Sequence, residues 1–125
     1  LRLVDHLSFI MHRQFRVKIG CRIGLYMSNS FEYTLSILAI LNLKAIFLPL
    51  DLSHPIQRLT TIQQQSGIHL VLTNRNIKSG KATRSSFSVP LIYVKISDEG
   101  AWHIDKGTST LPSTAEDRSE GGYII

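Results

Sequence analysis

The chain is poor in cysteine, aromatic residues and long apolar runs, and each scarcity excludes something. Cys21 is the lone cysteine, so no internal disulfide can staple the fold and a buried core has to hold it. Aromatics make up 8%, and no basic run interleaves with them as a stacking groove for single-stranded nucleic acid requires. Nucleic acid is therefore a disfavoured partner, despite a net charge of +5. No window approaches the roughly 18 unbroken apolar residues of a membrane span. The first residues carry no charged, apolar and small-residue leader pattern, so the expected location is cytoplasmic.

Catalytic signatures are scarce as well. Gly20 and Gly24 are spaced too widely for GxGxxG, and neither GxSxG nor HExxH occurs. The SGKAT stretch around Lys81 would need glycine at Arg75 and a hydroxyl residue at Ala82 to be a phosphate loop. His6, His12, His54, His69 and His103 have no spacing that pairs them with each other or with Cys21 as zinc ligands. On these grounds no catalytic, cofactor-binding or metal-ligating residue is assigned. Acidic residues are rare in the body: residues 1–95 contain Asp5, Glu32 and Asp51 against 12 of the 14 Lys and Arg.

What is present is a β/α alternation. Leu3, Leu7, Ile10 and Met11 recur at helical spacing over residues 1–15. Ile23 to Met27 reads as a buried parallel strand. Ser28 or Ser30 caps the next helix, where Glu32 in the first turn suits the helix dipole. That helix, through Leu41, has so little polar face that it should be covered on most sides. Ala45 to Leu50 reads as a second buried strand, ended by Pro49, which has no N–H for a ladder. A third helix follows Pro55, with Ile56, Leu59 and Ile62 inward, Gln63 to Gln65 outward and Gly67 as its C-cap. His69 to Thr73 and Pro90 to Ile96 complete the strands. Residues 1–96 form a partial α/β subdomain, 97–120 read as a mobile loop rich in Ser, Thr and acid, and Gly121 to Ile125 begin another strand.

Asp51 and His54 lie after an apolar strand, where open α/β sheets place ligands, and Asp51 could orient His54 as a base. The competing reading gives Asp51 to its own turn and leaves His54 as a link before Pro55. The second is preferred, because no nucleophile or oxyanion donor stands nearby in sequence.

Three stretches carry a family resemblance: LNLKAIFLPLD at 41–51, HPIQRL at 54–59 and SGIHLVLT at 66–73. They are similar to the "LKAGxAYxPLD", "xxPxxRL" and "SGxxxVLT" stretches of the adenylate-forming superfamily, which includes acyl-CoA synthetases and nonribosomal peptide synthetase adenylation domains. The final GGYII resembles the strand that leads into that family's phosphate loop. Lys44 stands where the family motif has glycine, and Leu43 and Ile46 stand at its usual alanines. The resemblance implies an open, mostly parallel sheet from the N-terminal domain of an ATP-dependent acid-activating ligase. It implies ATP and Mg²⁺ for the parent enzyme, a small carboxylic or amino acid substrate, and CoA or phosphopantetheine as acceptor. The family's nucleotide-binding motifs lie downstream of the matched stretches, so the expected partner is the rest of the parent enzyme and the segment alone is expected to be inactive. Asp51 and Arg58 then serve the scaffold. Self-association through exposed apolar surface, or a non-enzymatic interaction module made from a short isoform, is the alternative.

Overall fold

A computed structural model of the chain describes residues 2–75 and 86–105. Helix α1 (Arg2–Phe15) is followed by β1 (Arg22–Tyr26), α2 (Phe31–Asn42), β2 (Ile46–Pro49), α3 (Ile56–Ser66), β3 (Ile68–Thr73), β4 (Leu91–Ile96) and β5 (Trp102–Asp105). The strands form one sheet in the order β2-β1-β3-β4-β5. Strands β2, β1, β3 and β4 run parallel, and β5 returns antiparallel to β4. This is the α/β, mostly parallel sheet with flanking helices that the β/α alternation predicts.

The strands bury both faces. Ile23, Leu25, Leu70, Leu72, Ile92 and Val94 pack into one core with α1 and α2. Tyr26, Val71 and Leu91 point the other way, into a smaller core with Leu59 of α3. Gly24 marks the closest approach on that second face: a Cβ there would meet Leu50 Cδ1 at 3.0 Å and Val71 Cγ2 at 3.1 Å.

The termini of the elements follow their local chemistry. Ser30 caps α2, its Oγ accepting from Tyr33 N at 3.3 Å. Gly67 ends α3 at φ 63°, the left-handed conformation glycine adopts without a Cβ penalty. Lys44, at the α2–β2 turn, takes a similar φ of 59° with a side chain attached. Its place in the motif and its backbone agree, since that conformation is the one glycine favours there.

Five sequence expectations need correction, the first being Ile56 of α3, which is not inward but 44% exposed. Strand β2 is not buried on both sides: it is a four-residue edge strand whose Ile46 is 44% exposed. Helix α2 is not covered on most sides, because Phe31, Leu38 and Leu41 face solvent. Gln63 points inward and is buried, with Nε2 donating to Leu59 O and Ser86 O, and Oε1 accepting from Ser88 N at 2.8 Å. Four residues of the expected loop at 97–120 are strand β5, held because Trp102 packs on α1 and its Nε1 donates to Leu3 O at 2.8 Å. Residues 106–120 and the expected strand at 121–125 lie outside the described residues. Among the described residues, no helix is long and apolar enough to cross a membrane.

Candidate functional site

The chain leaves β1 toward β2 on one side, then returns through α3 to β3 on the other side of β1. That reversal is a topological switch point, and open α/β sheets place ligands at the carboxyl ends of the strands flanking it. Here those ends are Tyr26 to Ser30 after β1 and Thr73 to Arg75 after β3.

A buried polar network occupies one side of this crevice. Asn74 Nδ2 donates to Ser30 Oγ at 3.0 Å and to Glu32 Oε1 at 3.4 Å. Glu32 Oε2 accepts Ile96 N at 3.1 Å, with Lys95 Nζ 3.9 Å away. One carboxylate thus joins the first turn of α2 to the ends of β3 and β4. Burial pushes the Glu32 carboxyl upward, but the Ile96 N–H, its own N–H, the Asn74 amide and Lys95 outweigh burial and hold it below its ordinary value. Asn74 Oδ1 is buried without a hydrogen-bond partner among the described residues.

On the other side stand Tyr26, Asp51 and Arg75. The Tyr26 hydroxyl donates to Leu52 O at 3.4 Å, and its ring meets Phe87 edge-on with centroids 5.4 Å apart. Burial raises the Tyr26 pKa, the Arg75 guanidinium opposes that rise, and the Asp51 charge adds to it. Asp51 Oδ1 accepts both Ser53 N at 2.9 Å and Ser53 Oγ at 2.8 Å. These bonds hold the Asp51 carboxyl below the usual range. His54 contributes its backbone N–H to Asp51 O at 3.1 Å, and no side-chain hydrogen bond joins the two among the described residues. The turn reading of Asp51 therefore accounts for its contacts. Arg58 is exposed on α3 and makes no ion pair with Asp51.

Sequence reasoning left out Asn74, turned Gln63 outward and saw Glu32 only as a dipole partner. Glu32 carried a usable signal, since it is the one acidic residue between Asp5 and Asp51 and sits in an otherwise uncharged helix. Asn74 and Gln63 carried none, because these partners lie 23 to 44 positions away and no pattern of single residues encodes such pairs. A shallow cleft of about 700 Å³ lies between Arg2, Leu3 and His6 of α1 and the Glu99–Ala101 turn.

Among the described residues these groups are hydrogen-bonded to backbone and to one another. A triphosphate with Mg²⁺ needs converging N–H groups, a cation and carboxylate ligands in one pocket. Among the described residues, no three His, Cys, Asp or Glu side chains gather closely enough to hold a metal ion. The buried carboxylate is already committed to Ile96 and Asn74.

Comparison with known proteins places this arrangement. A family model described as AMP-binding enzyme matches residues 2–119. Surfactin synthase subunit 1 of Bacillus subtilis (strain 168) is 32% identical over 84 residues, covering 67% of this chain and 2% of that protein. A polyketide synthase-nonribosomal peptide synthetase of Aspergillus clavatus is 30% identical over 118 residues, covering 94% of this chain and 3% of its own length. The chain thus spans only a few per cent of the curated relatives it matches. The crystal structure of CmiS6 superposes with a TM-score of 0.63 at 19% identity, over 84% of this chain and 23% of that one. Sheet order, crossover and motif stretches agree with the match across nearly the whole chain: it belongs to the AMP-binding, adenylate-forming enzyme family.

Proposed function

We propose that this chain is the N-terminal portion of the large domain of an ATP-dependent ligase that activates a small carboxylic or amino acid as its adenylate. The acid's carboxylate oxygen attacks the α-phosphorus of ATP, forming acyl–AMP and releasing pyrophosphate. An acceptor thiol then displaces AMP to give a thioester. What supports the reading is the family match over residues 2–119. The two named relatives belong to peptide-assembling enzymes, which favours an amino acid as the acid and a carrier-bound pantetheine as the thiol. ATP and Mg²⁺ bind, in this reading, through residues beyond the described ones. The described residues supply the scaffold: the Glu32–Asn74 network fixes the carboxyl ends of β3 and β4, and the Ser53–Asp51 turn fixes the exit from β2.

The test is amino-acid-dependent exchange of labelled pyrophosphate into ATP, run on the whole polypeptide that contains this segment and on the 125 residues alone. Exchange by the whole polypeptide and none by the segment is the expected result. A thermal shift of the isolated segment with ATP and Mg²⁺ would overturn the view that its residues build no nucleotide site. A whole polypeptide without exchange for any amino or carboxylic acid would overturn the ligase reading.

A further inference from the structure

We infer that the amino end of the sheet is a docking surface for an anionic lipid membrane, with Ile19 as its apolar anchor and the surrounding cations on the headgroups. Nothing in this depends on the ligase reading.

Charge is segregated along the strand axis. Trp102, paired with Ile96 at the carboxyl end of β4, reaches Leu3 O, and His69 near the start of β3 meets Phe15 O at 2.7 Å. Helix α1 therefore runs against the parallel strands, with its first turn at their carboxyl ends. Asp5, Glu32, Asp51, Asp98 and Glu99 all sit at that carboxyl end, in first turns of helices or just past strands. Arg13, Arg16, Lys18, Arg22 and Lys44 sit at the amino end, and all of them are exposed. Asp105 is the exception among the described acids, and it lies on β5, at the far edge from β2.

Apolar side chains mark the same end. Lys18 to Cys21 is a tight turn closed by Cys21 N donating to Lys18 O at 3.1 Å, with Gly20 third in it at φ 84°. Ile19 takes the first corner and is 76% exposed, more than any other large apolar side chain among the described residues. Lys18 N donates to Cys21 Sγ at 3.3 Å, and Gly20 N donates to Lys44 O at 3.0 Å. The tip is held before any partner arrives, so little ordering opposes its insertion. Ile46, 44% exposed, lies beside it as the ladder partner of Arg22. Helix C-termini at this end suit Arg13 and Lys44, but no helix dipole calls for isoleucine at a solvent-facing corner.

Shape chooses among anionic partners. The surface projects as a loop tip, whereas the cleft described above lies at the other end of α1, beside Glu99. An acidic peptide finds no groove here. Nucleic acid offers phosphates but no apolar phase to take an aliphatic tip. A membrane with anionic lipid offers both, and its hold strengthens when charge and an apolar anchor act together.

The test is co-sedimentation of the whole polypeptide that contains this segment with phosphatidylcholine vesicles, plain or carrying about 20% phosphatidylserine. Pelleting only with the anionic vesicles is expected, and it should fall as salt rises from about 50 mM to about 500 mM. Each cation near such a surface contributes about fivefold, so Lys18→Glu with Lys44→Glu should lower the partition by about tenfold or more. Ile19→Ser should lower it by about three- to tenfold through loss of the anchor. Arg58→Glu, at the carboxyl end, should leave it within about twofold. All four side chains are exposed, and an unchanged denaturant midpoint in each variant ties any loss to the surface. Absence of pelleting with anionic vesicles overturns the inference, as does native-level pelleting of the double charge reversal. Native-level pelleting of Ile19→Ser overturns the membrane as partner and points to a polyanion read by charge alone. Pyrophosphate exchange is not the readout, so failure here leaves the ligase reading standing.

Discussion

Lys44 holds a backbone conformation that costs a residue with a Cβ about 1–2 kcal/mol. Replacing it with glycine removes that cost and returns part of it as unfolded-chain entropy. Lys44→Gly is therefore expected to stabilise the chain by about 0.5–1 kcal/mol, read as a higher denaturant midpoint with an unchanged slope. Glu32 behaves in the opposite sense. Its carboxylate is held by a backbone N–H and an amide in a buried setting, so Glu32→Gln costs about 2 kcal/mol at neutral pH. The sign of the pH dependence follows from its depressed pKa: the folded form favours the ionised group, so this stability is complete above the ordinary value of 4.5 and is lost as pH falls through the lower folded value. Midpoints for the native chain and Glu32→Gln should converge as pH is lowered from about 6 to about 3. A constant gap would mean that the charge contributes nothing.

At the level of elements, periodicity identified the three helices and the four parallel strands of the described residues to within a residue or two. Apolar spacing, Ser30, Pro49 and Gly67 are local signals, and local signals are what a sequence displays. Burial of β2 was misjudged because Ala45 to Leu50 reads the same whether a strand is central or at an edge; strand order decides that, and it depends on distant pairings. Strand β5 escaped notice since its four residues alternate inside a polar stretch, and only the Trp102–Leu3 contact, 99 positions apart, reveals why they order. Gln63 was lost in a run of three glutamines. It makes four hydrogen bonds, to Leu59, Ser86 and twice to Ser88, and so fastens α3 to the segment entering β4. Gln63→Ala should cost about 2–3 kcal/mol through the stranded Ser88 N–H, whereas Gln64→Ala should stay within about 0.5 kcal/mol in the same denaturant titration. Equal effects at the two positions would refute the fastening role.

Across the whole molecule, the site was only partly readable. The crevice position follows from β/α alternation once the crossover is known, and the resemblance of three stretches identified the family. Asp51 and His54 invited a catalytic pairing that the Ser53 hydrogen bonds resolve in favour of a turn. The Ser30–Asn74–Glu32 network joins residues 44 and 42 positions apart, which is information held by the fold and not by any one segment.

The edge of β2 has a practical corollary for handling the chain. Fibrils grow by repeated backbone pairing, and this edge is a poor template for a cross-β ladder: Ile46 N is spent on Cys21 O, Pro49 has no N–H, and the opposite edge among the described strands, β5, is only four residues long. Material that separates from a concentrated solution should therefore be amorphous and held by side chains. It should brighten an apolar dye such as ANS while leaving thioflavin T dark, and dilution with mild detergent should recover it. Thioflavin-positive fibres would show that the backbone edge, and not the helix face, governs how these molecules meet.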